Sequence, residues 1–337
     1  MAKAALHSSL SAPAARQALA NDVDEHAANL AGWQQRYDQL SRGAFRGEIA
    51  ELWFDDVQVF RERTSHAVRQ ACSIRPGTVW CGVTLAHDGS RIEGHLVGEG
   101  GVMVSGNPAE FELSTPDRHD ILGIVASRTS LHEVAQALGT ALNGDALEHP
   151  TWLACPPEAR AQLVHGLSQL VGEGVAGRNC HASAQSRRFA QHAVLESLLA
   201  VLATPQADSH ECLSFERRRR LVRAACEATI SQADAVPTVP DLCARLHVSR
   251  RTLQYAFETV AGTSPVLYLR ALRLNAVRRD LRAGRATKVQ DAAARHGFWS
   301  LSQFSSDYRQ QFAERPSQTL ERACTSPRGA APSQAQR

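Results

Sequence analysis

The sequence lacks the features that mark several large classes of protein. No run of 18 apolar residues occurs, so no transmembrane helix is predicted, and residues 1–25 lack the apolar core of a signal peptide. The eight cysteines form no Cys-x-x-Cys pair and are too scattered for a small disulfide scaffold, so reduced thiols in a cytoplasm are expected. Membrane-spanning and secreted proteins are therefore disfavoured.

Signatures of enzymes are also absent. The chain has no Gly-x-Ser-x-Gly, P-loop or Gly-x-Gly-x-x-Gly motif. His87, His95 and Glu99 come nearest to a metal-binding set, but no His-x-His pair occurs, and satisfied or solvated histidines are the simpler interpretation. Acidic pairs such as Glu110 and Glu112 have no spacing that would set them opposite each other. The sequence predicts no catalytic residue, no metal site and no required cofactor.

The net charge of +3 hides an uneven distribution along the chain. Residues 1–215 contain 16 Lys and Arg against 24 Asp and Glu, a net charge of −8, whereas residues 216–337 contain 21 against 10, a net charge of +11. Lys288 is the only lysine of the basic part, which is otherwise arginine. The planar guanidinium suits phosphates and guanine edges alike. This basic excess predicts a polyanion as the partner.

Residue patterns predict an α+β fold with two domains between two disordered tails, 1–25 and 323–337. Residues 26–210 begin with short runs of β-branched and aromatic residues and continue, from about residue 130, with apolar residues at helical spacing. Residues 216–322 have helical spacing throughout. We therefore expect a β-rich N-terminal domain with trailing helices and an all-α C-terminal domain.

The C-terminal domain contains an internal repeat. The segment DLCARLHVSRRTLQYAFETVAGTSP begins at Asp241, and DAAARHGFWSLSQFSSDYRQQFAERP begins 50 residues later at Asp291. Each copy predicts a short helix, a turn and a longer helix, which is the pattern of a helix-turn-helix unit. Between them, residues 265–282 predict a linker helix of ~27 Å, which would place both second helices on one face of DNA, where successive major grooves lie ~34 Å apart.

These residues resemble the AraC/XylS family of bacterial transcription regulators. The resemblance covers about 217–320, including VSRRTLQYAFETVAGTSPVLYLRALRLNAVRRDL and the second unit from VQDAAARHGFWS onwards. Arg315 departs from the glycine usual in the family, and 318–320 lack its Tyr-Arg pair; both lie at the end of the fold. The resemblance implies a sequence-specific DNA-binding regulator, an activator, that binds double-stranded promoter DNA and RNA polymerase. It leaves a homodimer open.

A narrower resemblance runs through the N-terminal half. The segments AGWQQRYDQLSRGAFRGEIAELWFDDVQVFRERTSHAVRQAC and FELSTPDRHDILGIV resemble regulators of ethanolamine-utilisation operons. This implies that residues 26–210 sense an effector, with ethanolamine and adenosylcobalamin together as the expected pair. The most characteristic segment contains Trp53, Asp55 and Asp56, the candidate effector-binding residues. Strand alternation would place the two aspartates on opposite faces. For Trp53, packing in the hydrophobic core is the alternative to effector binding.

Candidate DNA-binding residues follow from the exposed faces of the two second helices. Arginine pairs with guanine and glutamine with adenine in the major groove, so Arg251 and Gln254 are the first candidates for base contacts. The complete set is Arg250, Arg251, Gln254, Tyr255, Trp299, Ser302, Ser306 and Arg309. Arginines of the linker helix could bind phosphates or face solvent, and the run 217–220 is expected to be a solvated helix start.

Three other functions remain open at this point. The chain could be a regulator of the same family that senses a different metabolite. It could be a DNA-repair enzyme fused to helices of this type, which would need a clustered, metal-held cysteine site that the scattered cysteines do not suggest. It could also be an architectural DNA binder, for which an acidic sensor-sized domain would be superfluous.

Overall fold

The computed structural model describes residues 15–85, 89–106, 110–142, 144–176, 183–203, 213–231 and 236–325. It confirms the α+β fold, with a β-rich N-terminal domain and a helical C-terminal domain. Within these ranges no helix is both long and apolar enough to cross a membrane.

Twelve strands and five helices form the described part of the N-terminal domain. The strands are β1 (Ala15–Ala20), β2 (Gln34–Gln39), β3 (Gly47–Phe54), β4 (Val57–Thr64), β5 (Val68–Ser73), β6 (Thr78–Thr84), β7 (Arg91–Ile92), β8 (His95–Leu96), β9 (Gly101–Ser105), β10 (Phe111–Thr115), β11 (His119–Ser127) and β12 (Thr151–Ala154). The helices are α1 (Val23–Ala28), α2 (Arg128–Leu138), α3 (Gly144–Glu148), α4 (Pro157–Val175) and α5 (Ala184–Leu202).

The strands form two sheets that enclose one hydrophobic core. The larger sheet has the order β1-β3-β4-β11-β6-β9-β12, and the smaller has the order β2-β5-β10-β7-β8; the pairs within both are antiparallel. Large buried side chains such as Tyr37, Phe60, Trp80 and Phe111 fill the space between the sheets. A second core covers the other face of the larger sheet, where α2, α4 and α5 pack. Alternation along each strand supplies both cores at once.

Seven helices form the described part of the C-terminal domain. They are α6 (Leu213–Ser231), α7 (Val239–Arg245), α8 (Arg250–Ala261), α9 (Pro265–Arg282), α10 (Val289–Arg295), α11 (Leu301–Phe312) and α12 (Pro316–Thr325). One core joins α6, α7, α8 and the first half of α9, and another joins the second half of α9 to the last three helices. The linker helix α9 is thus shared by both helix-turn-helix units.

The tails are shorter than the sequence analysis predicts. Residues 15–25 do not belong to a disordered tail, because β1 pairs with β3 along its whole length and α1 is capped by the Asp22 side chain. Val23 and Ala27 are buried in the sheet-to-sheet core, which gives this short segment its order. At the other end α12 continues to Thr325, so the predicted boundary at 323 is three residues early. Residues 1–14 and 326–337 lie outside the described residues.

Candidate nucleic-acid interface

The first recognition helix, α8, has one buried and one exposed face. Ser249 caps it by accepting a hydrogen bond from the Thr252 amide at 3.1 Å. Leu253 and Phe257 are buried in the core, whereas Arg250 and Arg251 are exposed at the start of the helix. The start of the second helix is the part of a helix-turn-helix unit that contacts base edges. The guanidinium groups of Arg250 and Arg251 are therefore accessible at the end of α8 where base contacts are expected.

Two further candidates on α8 are held by neighbouring side chains. Gln254 Nε2 donates a hydrogen bond to Glu258 Oε1 at 2.7 Å, one helical turn away. The ring of Tyr255 is 55% exposed, and the guanidinium carbon of Arg218 lies 4.8 Å from its centroid. Gln254 must exchange this carboxylate for an adenine edge if it contacts a base.

The second recognition helix, α11, presents fewer charges. Trp299 is 76% exposed in the turn before the helix. Ser302, Ser306 and Arg309 are exposed along one face. On the opposite face, successive rings of Phe304, Tyr308 and Phe312 pack at centroid distances of 5.6 and 4.7 Å. These positions suit α11 for a weaker contact with bases and phosphates than α8.

The two turns share one backbone conformation. His247 and Gly297, 50 residues apart, both have left-handed φ angles, of 52° and 75°. A Cβ atom at Gly297 would lie 2.7 Å from the Cβ of Val236, so only glycine fits the second turn. The capping serines differ: the Ser300 side chain makes no capping hydrogen bond, in contrast to Ser249. The repeat visible in the sequence is therefore a repeat of structure, with small local departures.

The linker-helix arginines are occupied within the protein. Arg270 forms an ion pair with Asp307, and the Arg273 guanidinium lies 4.8 Å from the Phe298 ring centroid. Arg278 and Arg279 turn to the N-terminal domain, as described next. A fully solvated face does not describe these side chains, because each of them has a partner within the protein.

A cluster of ion pairs joins α9 to the N-terminal domain. Arg278 donates to Asp22 at 2.7 Å, Arg279 lies 2.8 Å from Asp38, and Arg282 lies 2.7 Å from Asp22. Burial opposes ionisation of Asp22, but Arg278 and Arg282 outweigh it and hold its pKa below the ordinary value. We call these five residues the interdomain clamp.

Amide side chains extend this contact along the edge of the smaller sheet. Asn275 both donates to the Gln39 carbonyl at 2.9 Å and accepts from the Gln39 amide at 3.0 Å, so it occupies the free edge of β2. Gln311 of α11 also donates to the Gln39 carbonyl, at 2.8 Å. The linker helix and the second helix-turn-helix unit are thereby connected to one strand of the N-terminal domain.

The candidate effector residues lie in a hairpin turn and not on two faces of a strand. The predicted strand divides after Phe54, since Phe54 pairs with Val57 and the two aspartates form the turn. Asp55 is exposed with a φ of 49°, and Asp56 accepts hydrogen bonds from Ser130 and from Gln191, the latter at 2.6 Å. Asp56 thus connects the hairpin to α2 and α5. The expected inward and outward alternation is wrong here, because a tight turn interrupts it.

The ring of Trp53 also packs against another part of the protein. The guanidinium carbon of Arg75 lies 4.8 Å from its ring centroid. Trp53 thus lies against Arg75, whereas Asp56 binds Ser130 and Gln191, so the candidate side chains are held by different neighbours.

A buried polar cluster between the sheets includes two residues, Glu62 and His26, that the sequence-based analysis does not identify. Glu62 Oε1 accepts a hydrogen bond from the Tyr37 hydroxyl at 2.8 Å and lies 2.9 Å from His26 Nε2. Burial opposes ionisation of Glu62, yet these two partners hold its pKa below the ordinary value. Nearby, the rings of Trp33 and Trp80 meet edge to face at 6.0 Å. The alternating pattern of β4 could have identified Glu62 as inward-facing, since Phe60 on the same face is core.

No three His, Cys, Asp or Glu side chains within the described ranges form a group that could hold a metal ion. His87, a member of the nearest set in the sequence, lies outside those ranges. Cys72, Cys81, Cys155, Cys226, Cys243 and Cys324 are free thiols.

Comparison with known families identifies the C-terminal domain. Residues 242–322 match the family model described as a helix-turn-helix domain, a range that begins in α7 and ends in α12. It covers α8, the linker helix α9, α10 and α11 in full. The C-terminal domain therefore contains a helix-turn-helix domain over residues 242–322.

Three similar proteins carry the names of regulators. The chain is 37% identical over 85 residues to the regulatory protein HrpB of Ralstonia nicotianae, covering 25% of this chain and 18% of that protein. It is 34% identical over 102 residues to a probable thc operon regulatory protein of Rhodococcus erythropolis, with coverages of 30% and 31%. For the XylDLEGF operon transcriptional activator 3 of Pseudomonas putida the identity is 31% over 130 residues, with coverages of 38% and 37%. The chain thus spans less than two fifths of each of these relatives.

Proposed function

We propose that the chain is a DNA-binding activator of transcription that responds to a small molecule. The observation that carries this is the pair of recognition helices, whose predicted contact residues are exposed apart from the half-buried Gln254, while Arg278 and Arg279 of the linker helix pair with carboxylates of the N-terminal domain. Access to promoter DNA would place its action in the cytoplasm. Contact with RNA polymerase and assembly as a homodimer rest on the family resemblance and belong to the same proposal.

Selection from a random-sequence duplex library with the full-length chain tests DNA binding. We expect a consensus with two half-sites about one helical turn apart, because the two units would enter successive major grooves. A reporter placed behind the selected site then tests activation. Failure to enrich any sequence at low salt would refute the proposal.

The N-terminal domain is positioned to influence the DNA-binding domain. Strand β2 carries Tyr37, which faces the space between the sheets and binds Glu62. The next residue, Asp38, lies on the opposite face of the strand and binds Arg279 of the linker helix. Helix α1 likewise follows Asp22 of the clamp and carries His26 of the interior cluster. A ligand that shifts the interior cluster would therefore also shift the clamp.

Ethanolamine together with adenosylcobalamin is the proposed effector pair, on the basis of the resemblance. Support for a small ammonium ion comes from Glu62, an ionised carboxylate close to the rings of Trp33 and Trp80. The indole N–H of Trp80 is buried and has no hydrogen-bond partner among the described residues, so it is free to donate to a ligand hydroxyl. The enclosed space is about that of one water molecule, so binding requires these side chains to separate.

Thermal unfolding of the full chain with ethanolamine, with adenosylcobalamin and with both tests the effector. A true ligand raises the midpoint by mass action. We expect Glu62→Gln to abolish the shift caused by the amine. Glu48→Gln is the matched control, since Glu48 pairs with Arg63 at the surface. If only an unrelated metabolite shifted the unfolding midpoint, the effector would be that metabolite. The proposal of an effector-responsive regulator would stand.

A further inference from the structure

The arginine run at the start of α6 divides into two pairs with different environments. Arg219 is bound to Glu216 at 2.8 Å and to Glu93 of the N-terminal domain, and Arg220 lies 3.5 Å from Glu216. Arg217 and Arg218 make no ion pair with a carboxylate in the described part of the chain. The run is thus not a uniform solvated helix start, as the sequence analysis expects, because its members turn to different neighbours.

Arg217 and Arg218 line a groove beside the first recognition helix. This open groove has a volume of about 1300 Å³ and runs between α6 and α8. Its α6 wall also includes Leu221, and its α8 wall includes Arg251 and Tyr255, the residues expected to face DNA. The spacing of three and four residues on each helix places these side chains on facing surfaces.

The groove is basic at its rim. Arg217, Arg218 and Arg251 contribute three positive charges, against one negative charge from Glu258, which already accepts from Gln254. Arg218 is oriented by its position over the Tyr255 ring, so its guanidinium is held next to the recognition helix and not extended away from it.

We propose that Arg217 and Arg218 bind the DNA phosphate backbone along one side of the major groove that α8 enters. The major groove is about 12 Å wide and a helix with its side chains is about 10–12 Å across, so a helix that fills it has a phosphate strand on each side. An arginine wall that stands beside α8 meets one of these strands. This inference rests on the proposed function and adds a phosphate-binding element outside the two helix-turn-helix units.

The test compares two double variants of the full-length chain. Arg217→Gln with Arg218→Gln removes the two proposed phosphate-binding side chains. Arg220→Gln with Arg223→Gln is the control, because it removes the same charge from exposed arginines of the same helix that pair with Glu216 and Glu227. Binding is measured by fluorescence anisotropy with a random-sequence 30-bp duplex and with the duplex selected above, at several salt concentrations.

We expect the first variant to bind both duplexes more weakly by the same factor. The slope of log K against log salt should become shallower by about one for each phosphate that is no longer neutralised, so by about two, while the control stays close to the wild type. An equal slope in both variants, or a weakening confined to the selected duplex, would overturn the inference. Unchanged DNA binding with abolished transcription would assign the groove to RNA polymerase instead. If the wild type binds neither duplex, the proposed function itself fails.

Discussion

Replacing Arg278 by methionine should destabilise the protein more than any exchange of a surface arginine. Its side chain is 7% exposed, and it donates to Asp22 at 2.7 Å and to Glu314 at 2.5 Å. Its guanidinium also lies 4.6 Å from the centroid of the Phe312 ring. Methionine can keep the packing against this ring, but it leaves two buried carboxylates without their shared cation.

The expected loss in the free energy of unfolding depends on the arginines that remain near the two carboxylates after the substitution. Removing one partner of a buried ion pair costs about 3–5 kcal/mol. Arg282 still lies 2.7 Å from Asp22, and Arg322 lies 2.7 Å from Glu314, so we expect the lower end of that range, about 3 kcal/mol. Urea denaturation of the full chain measures it. Arg223→Met is the control: its pair with Glu227 is exposed, so a decrease of only about 0.2–1 kcal/mol is expected.

The pH dependence of this difference has a defined sign. Because the folded-state pKa of Asp22 lies below its ordinary value of 3.8, its ion pair stabilises the fold fully above that value and is lost as the pH falls through the folded-state pKa. The difference in stability between wild type and Arg278→Met should therefore be full at pH 7 and shrink below about pH 4. A difference at pH 7 no larger than that of the control, or one that grows in acid, would refute the reasoning.

The remaining predictions concern three other positions. Burial, partly opposed by Arg279, raises the pKa of Asp24 to about 6, so wild-type stability should fall as the pH rises from about 4 to 6. In urea denaturation, Asp24→Asn should remove this fall and increase the free energy of unfolding at pH 7.5 by about 1–2 kcal/mol. Arg251→Ala should weaken DNA binding by about 1–3 kcal/mol through the loss of one base-pair contact in the selected site. If anisotropy titrations showed an equal weakening on every sequence, Arg251 would not be a base-contacting residue. Phe304→Ala, at a fully buried ring, should cost about 3–5 kcal/mol in the same unfolding assay, and a cost below about 1 kcal/mol would contradict the assigned core.

The C-terminal domain could be predicted from sequence because its determinants are local. Ser249, Ser264 and the apolar spacing of each helix fix starts and faces within one or two turns of chain, and the structure follows them. The repeat added independent support, since His247 and Gly297 take the same left-handed turn. Local determinants do not, however, reveal which exposed face a neighbouring domain will cover.

The N-terminal domain was harder because several strands carry no local signal. Strand β2, with the sequence QQRYDQ, is polar at five of six positions, and it is ordered by pairing with β5 and by the amide of Asn275. Strand β1 pairs with β3 although it lies in the segment 1–25, for which the sequence predicts a disordered tail. Such strands are specified by distant partners, which a single sequence does not disclose.

The same distance in sequence explains why the linker arginines could not be assigned. Arg278 and Arg279 are consecutive on α9, yet their carboxylate partners Asp22 and Asp38 lie about 240 to 256 residues earlier. When charge is counted from composition alone, these guanidinium groups are included in the charge available to DNA. In the structure they pair instead with carboxylates of the acidic N-terminal domain. The proposed DNA contact therefore depends on arginines that the structure leaves exposed on the recognition helices, such as Arg250, Arg251 and Arg309, and not on the total basic charge of the domain.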